Sequence, residues 1–178
     1  MTAASMQSTV FNQSGFGVPG ELFTNAPYKA ESFIINSALA SYNIIGATAY
    51  TVTSQGVAQA GSGGTFGYAG ILANPKTQAL RGDGVNPLNP SLTLPNYSQA
   101  DLVTMGNLIV TLPDDANIGD SVIFDNTTGA LDTIAPGANL PVGKSFAQAI
   151  VDYFIANAGA PQLAVIYIDP TYITPVLA

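Results

Sequence analysis

Along most of the chain, apolar and polar positions alternate over short stretches separated by clusters of Gly, Pro, Asn, Asp and Ser. That is the signature of half-buried strands joined by turns. Strands are predicted at Glu31–Asn36, Ala47–Thr53, Thr65–Leu72, Leu102–Leu112, Ser121–Phe124, Ala130–Ile134, Gln148–Ile155 and Leu163–Ile168. The clearest unit is a hairpin over residues 119–131. Apolar residues lead into Asp125-Asn126-Thr127-Thr128-Gly129, Gly129 is available for positive φ, and a strand returns. Helical periodicity is scarce. Lys144–Phe154 comes closest, but its second half is β-branched and aromatic, which suits a pleated surface better. A short helix near Asn96–Leu102 is the other possibility. Many short strands at this spacing predict an all-β chain: a jelly-roll-like antiparallel β-sandwich or barrel with little helix.

Three segments depart from the strand pattern and frame the expected organisation. Residues 1–30 scatter Phe11, Phe16, Val18, Leu22, Phe23 and Tyr28 among glycines with no period, as in an extended N-terminal arm. Such an arm either folds onto its own core or lies across a neighbouring subunit, and the second is the favoured expectation. Residues 73–99 are rich in Pro, Asn and Gly, and a loop of that length is often functional. Residues 169–178 form an apolar, proline-interrupted C-terminal extension. Residues 31–168 are then one β domain, in keeping with a length of 178 residues.

Composition sharpens this picture. Charged residues make up 8% of the chain against a usual figure of about 25%, while hydrophobic residues reach 47%. Whole-chain disorder is excluded, since it needs low hydrophobicity and high charge. The surface must be covered by neutral polar residues or by another protein. The expected contacts are Phe11, Phe16, Val18, Leu22, Phe23 and Tyr28 in the arm, Leu88, Leu92, Leu94 and Tyr97 in the loop, and Tyr172, Ile173, Val176 and Leu177 at the C-terminus. Apolar burial contributes roughly 25 cal/mol per Å². An arm covering several hundred Å² is therefore worth several kcal/mol before the ordering cost of about 1–2 kcal/mol per residue. Contacts that weak matter when repeated over many symmetry-related copies.

The absent residues narrow the chemistry. Without Cys there are no disulfides, thiolate nucleophiles or zinc–thiolate sites, and without His there is no imidazole base or ligand. The net charge of −7, with the four cations Lys29, Lys76, Arg81 and Lys144 scattered singly, argues against nucleic acid as a partner. No stretch reaches about 18 consecutive apolar residues, so no membrane-spanning helix is expected. The opening MTAASMQSTVF has no basic n-region, and synthesis in a cytoplasm is expected.

The remaining motifs have plain structural explanations. Pro141-Val-Gly-Lys-Ser145 holds the Gly-Lys-Ser of a phosphate loop, but the required earlier glycine is Ala138. Arg81-Gly-Asp83 is accounted for as a glycine turn. Asn12, Asn96 and Asn126 head glycosylation triplets, which matter only on a eukaryotic secretory route. Asp114, Asp115 and Asp120 lack the spacing of a calcium loop. Lys144 and Ser145 are adjacent, so on a strand they point to opposite faces and make no catalytic dyad. No catalytic, cofactor or metal residues are assigned, and the chain is not expected to be an enzyme.

Several phrases are similar to one known family. They are Gln7-Ser-Thr-Val10, Gly15-Phe-Gly-Val-Pro-Gly-Glu-Leu22, Ala26-Pro-Tyr28, Thr51-Val-Thr-Ser54, Phe66-Gly-Tyr-Ala-Gly-Ile-Leu-Ala-Asn-Pro-Lys76, Leu92-Thr-Leu-Pro-Asn-Tyr97, Gly119–Gly129 and Leu140-Pro-Val-Gly-Lys144. In collinear order they resemble the structural cement proteins that decorate tailed-bacteriophage capsids. The resemblance implies a jelly-roll-like fold without catalysis or cofactor, on the outer surface of a shell of major capsid protein. It also implies self-association, a homodimer ahead of a homotrimer, that bridges capsid subunits against internal DNA pressure. The stretch after Asp169 matches nothing in the family, so its contact role rests on composition. The competing expectation is a receptor- or glycan-binding β-sandwich of a spike or fibre, with residues 73–99 as its recognition face.

Overall fold

The computed structural model describes residues 17–23, 27–62, 64, 66–74, 82–83, 86–90, 92–113, 116–156 and 162–171. For 82–83, 86–90 and 153–156 it describes the backbone alone. The fold is all-β. Its strands are β1 (Lys29–Ile35), β2 (Ala49–Ser54), β3 (Val57–Ala60), β4 (Tyr68–Leu72), β5 (Gly82–Asp83), β6 (Asn86–Pro90), β7 (Gln99–Leu112), β8 (Ser121–Asp125), β9 (Leu131–Ile134), β10 (Lys144–Ala156) and β11 (Gln162–Ile168). A 3₁₀ turn at Ala40–Tyr42 is the only helical element among the described residues. The two segments considered for helix lie in β10 and at the entry to β7. Tyr97 sits at φ 65° just before β7, which breaks any helical path there.

Strand β7 organises two closed systems. The order β1-β3-β2-β4-β7, with β1 also paired to β7, makes a closed barrel. Beyond β7 the sheet continues through β11, β10 and β8 to β9. Residues 46–49 span the gap between β9 and β7: Leu131 N–H donates to Ala47 O (3.0 Å), Ala49 N–H to Gly129 O (2.9 Å) and Thr111 N–H to Gly46 O (2.8 Å). The first half of β7 pairs with β1 and β4, and the second half, from Gly106 on, pairs with β11. The changeover falls at Gly106. Its φ of +118° is open to glycine, and a Cβ there would lie 2.9 Å from the Tyr28 Cβ. The sheet is antiparallel except where β1 runs parallel to β3 at Ile34↔Val57 and Ile35↔Ala58.

Each system has its own core. Ile35, Ile45, Tyr50, Leu72, Leu94 and Leu102 fill the barrel, and Leu108, Val110, Val122, Phe124, Val151 and Ile166 are among those that fill the second. The expected hairpin is β8–β9, with Gly129 at φ 75° in its turn. Strand β3 escapes the sequence pattern because Val57-Ala-Gln-Ala60 is short and alanine-rich, and alanine is poor in strands. The 73–99 stretch also holds a small hairpin, β5–β6, placed within Pro-rich sequence where the pattern predicts only loop.

A buried polar network lies in the barrel around Asn43, which is fully buried. Its Oδ1 accepts from the Ser37 hydroxyl (2.6 Å) and the Tyr50 hydroxyl (2.9 Å), while its Nδ2 donates to Leu94 O (3.0 Å) and Asn96 Oδ1 (2.8 Å). Asn96 in turn accepts from Ser37 N–H (3.1 Å) and donates to Ser37 O (2.8 Å), and Ala60 N–H donates to Ser37 Oγ (2.9 Å). Burial pushes the Tyr50 hydroxyl well above its ordinary pKa, so it stays a donor. Every polar atom of Asn43 beyond its backbone is used, which ties the 37–43 and 92–96 segments to the barrel strands. Removing a shared partner strands several buried groups at about 1–3 kcal/mol each. Asn43→Leu should therefore lower stability by about 3 kcal/mol, read by denaturant titration; a change under about 1 kcal/mol would contradict the role given to the network.

Candidate functional site

The described part of the N-terminal arm lies on the chain's own core. Gly20 N–H donates to Ile109 O (2.7 Å), Ile109 N–H to Glu21 O (2.8 Å) and Phe23 N–H to Asn107 O (3.0 Å). Leu22 forms an antiparallel bridge with Leu108 and packs against the second core. Residues 20–23 thus satisfy the β7 edge left free where β4 ends. Phe23 is half-buried, while Val18 and Tyr28 are exposed, Tyr28 at 58%. Lys29 and Ala30, placed in the arm by the sequence pattern, are the first residues of β1. Phe11 and Phe16 lie outside the described residues.

The loop quartet divides. Ile45 N–H donates to Leu92 O (2.8 Å) and Leu94 N–H to Asn43 O (2.9 Å). These bonds hold the segment against the barrel, so Leu94 is 5% exposed in the core and Leu92 packs partly buried beside it. Neither offers much side chain to a neighbour. Tyr97, turned outward by its left-handed backbone, is 77% exposed. Leu88 lies in β6, where the backbone alone is described. Tyr172, Ile173, Val176 and Leu177 lie outside the described residues.

Other large apolar side chains also reach solvent: Ile34, Leu39, Phe66 (72% exposed), Ile118 and Val142, the last fully exposed. Leu39, Phe66, Ile118 and Val142 lie in turns and bends, where no period marks them, whereas Ile34 lies within β1 between Phe33 and Ile35. An apolar groove of about 230 Å³ also opens between Tyr42, Ile44, Ala47, Leu112, Pro113 and Leu131. Scattered exposed apolar residues are ordinary on a protein surface. In a chain this poor in charge they are also the residues best suited to meet another protein.

Among the segments weighed for chemistry, the described residues make structural bonds. Lys144 lies 3.8 Å from Asp125 Oδ2 and 3.5 Å from Asp132 Oδ2, so its ammonium faces carboxylates, with Gly143 in a turn before a strand. Ser145 donates to Asn126 Oδ1 (2.6 Å). Asn126 also joins the two systems: its N–H donates to Gly143 O (2.9 Å) and its carbonyl accepts from Ser62 N–H (2.9 Å). Asp120 accepts from Asn117 N–H (2.8 Å) within a turn. Asp114 and Asp115 lie outside the described residues, as does Arg81. Among the described residues no three acidic, His or Cys side chains group as metal ligands.

Asp125 is held in its charged form by its surroundings. The backbone N–H of Thr128 (2.8 Å), the N–H of Thr127 (2.9 Å), the Thr128 hydroxyl and the Lys144 ammonium favour its charged form. Together they outweigh the opposing effect of burial and hold its carboxyl below the usual carboxylate range.

The sequence over residues 6–169 matches the family model described as structural cement protein (E217 gp24/Pam3 gp6). No curated protein matches the sequence. Among solved structures, a chain from "The capsid of Myoviridae Phage XM1" is similar in fold, with a TM-score of 0.56 and 15% identity over 96% of this chain and 100% of that one.

Because the folded pKa of Asp125 lies below its unfolded value of about 3.9, its contribution to stability is present above that pH. It is lost as pH falls through the folded value. Asp125→Asn should therefore be less stable than the parent at pH 6, with the gap in Tm narrowing towards pH 3. A gap independent of pH would contradict this account.

Proposed function

The chain belongs to the structural cement protein family, and on that premise we propose that it binds the outer surface of a phage capsid and bridges neighbouring major capsid protein subunits. The family's role is structural and associated with the phage capsid, which puts the protein in the virion. In this reading the protein is made in the host cytoplasm, carries no catalysis or cofactor, and braces the shell against the pressure of packaged DNA. It self-associates as a homodimer in preference to a homotrimer, and engages neither nucleic acid nor membrane.

The observation that carries the reading is the family match, which runs through the barrel and the second sheet alike. Physical features support it. A net charge of −7 suits a position outside the shell, away from DNA, where a basic surface would bind the packaged genome. Exposed Tyr97, Tyr28 and Val18 offer apolar area in the loop and arm. Tyr97 stands on a turn fixed by Asn96 and the strand backbone, and an aromatic held in advance loses little entropy on docking. Phe11 and Phe16 in the arm, Leu88 in the loop, and Tyr172, Ile173, Val176 and Leu177 at the C-terminus complete the proposed contacts, whereas Leu22, Leu92 and Leu94 act by holding those segments in place.

Mixing the purified protein with undecorated capsids of the parent phage tests this. Stoichiometric co-sedimentation, with density outside the capsid lattice in electron micrographs, is the expected outcome. Capsids that show no such density would overturn it. Tyr97→Ser should weaken capsid binding about tenfold without changing the thermal transition, as expected for an exposed aromatic buried on docking. A Phe11→Ser, Phe16→Ser double variant should weaken it at least as much, and unaltered binding by both would remove the arm and loop from the contact.

A further inference from the structure

Strand β1 has one edge that nothing among the described residues fills. Along Lys29–Ile34 its other edge pairs with β7, whereas β3 reaches only Ile34 and Ile35. Lys29, Ala30, Glu31 and Ser32 are all exposed, so the start of β1 stands clear of both cores.

Backbone direction along β1 follows from its hydrogen bonds. Ile35 N–H donates to Ser98 O and Tyr97 N–H donates to Ile35 O, so odd-numbered residues turn their backbone groups towards β7. Ile34 N–H donates to Gly56 O and Asn36 N–H to Ala58 O, so even-numbered residues turn theirs towards β3. Ala30 and Ser32, which precede the reach of β3, therefore turn their N–H and C=O groups away from β7, to a side where no described residue pairs with them, and both residues are exposed. A free strand edge of this kind is a template for another strand.

We propose that this edge pairs with the same edge of a second copy, antiparallel about a two-fold axis through Ala30, continuing the barrel sheet from one subunit into the next. The inference places the self-association proposed above and rests on that part of the reading. Charge and sterics select the register. Lys29 and Glu31 lie on one face of β1, 2.6 Å apart as an exposed ion pair. An axis at Ala30 sets each Lys29 opposite Glu31 of the second copy, so the pairing is reciprocal, as a two-fold contact must be. An axis at Glu31 or at Lys29 would set like charges directly opposite, which is destabilising. An axis at Ser32 would need the Ile34 N–H, already given to Gly56. Ala30 is the centre that satisfies both conditions.

The sequence contains no Cys, so single-cysteine variants of the full chain report the register cleanly. In the proposed register the two Ala30 positions form a hydrogen-bonded pair about 5.5 Å apart at Cα, within disulfide reach. The two Ser32 positions lie four residues out of step, on the order of 13 Å apart, beyond that reach. Under mild oxidation Ala30→Cys should give covalent dimer at least tenfold faster than Ser32→Cys, in concentrated solution or on decorated capsids. Lys29→Glu should weaken self-association about tenfold by sedimentation, an estimate for two like-charge pairs. The Lys29→Glu, Glu31→Lys double variant should restore it.

Equal rates for the two cysteines, no covalent dimer from Ala30→Cys in either setting, or no rescue by the double exchange would overturn the proposal. Capsid binding without the Ala30 link would assign this edge elsewhere while leaving the capsid reading intact. The Ala30 link without capsid binding would do the reverse.

Discussion

A strand of 14 residues running through the middle of a protein carries backbone donors and acceptors on both edges along its whole length, with little water to satisfy them. In β7 the solution comes in pieces. One edge meets β1 and then β11; the other meets β4, then residues 20–23, then Gly46. The partner changes on either side of Gly106, and no other described strand serves both systems for so long. The barrel and the second sheet are therefore one hydrogen-bonded body, and residues 20–23 are a structural part of it.

That constraint decides what is left over for partners. Leu22 and Leu94 belong to segments drawn against the cores, whereas Val18, Tyr28 and Tyr97 stand beside them and face outward. Buried and exposed side chains alternate along the same short phrases. The Asn43 network does for 92–96 what β7 does for 20–23: it fixes the backbone of a segment beside which Tyr97, or Val18 and Tyr28, stay exposed. Exposed side chains on a backbone fixed this way are ordered in advance, and docking of such side chains costs less entropy.

The low charge of the chain acquires a physical meaning in this arrangement. With 15 ionisable cationic and anionic residues in all, 4 Lys+Arg and 11 Asp+Glu, few are left to guard strand edges, the usual work of lysine. At the exposed start of β1, Lys29 is paired with Glu31, so the edge is neutral overall and self-complementary. Asp125, Asp132 and Lys144 spend their charges on holding the β8–β9 turn to the start of β10. Most of the surface is neutral polar or apolar, and it suits a protein whose setting is a lattice of other proteins.

Much of this was legible in the sequence. Alternation located β1, β2, β4 and β7 through β11 to within a few residues, and the turn chemistry of Asp125 to Gly129 fixed the hairpin, because both depend on local steric and hydrogen-bonding preferences. The missing His and Cys removed whole classes of chemistry, and the collinear phrases pointed to the family. Strand β3 stayed hidden because four residues rich in alanine carry no local signal and exist as a strand only through the partners on either side. Which face of Leu92–Tyr97 is buried, whether residues 17–23 belong to the core, and where a strand edge is left open were decided by tertiary structure alone. A period of two says that two faces differ; only the packing of strands distant in sequence says which face, and which edge, is covered.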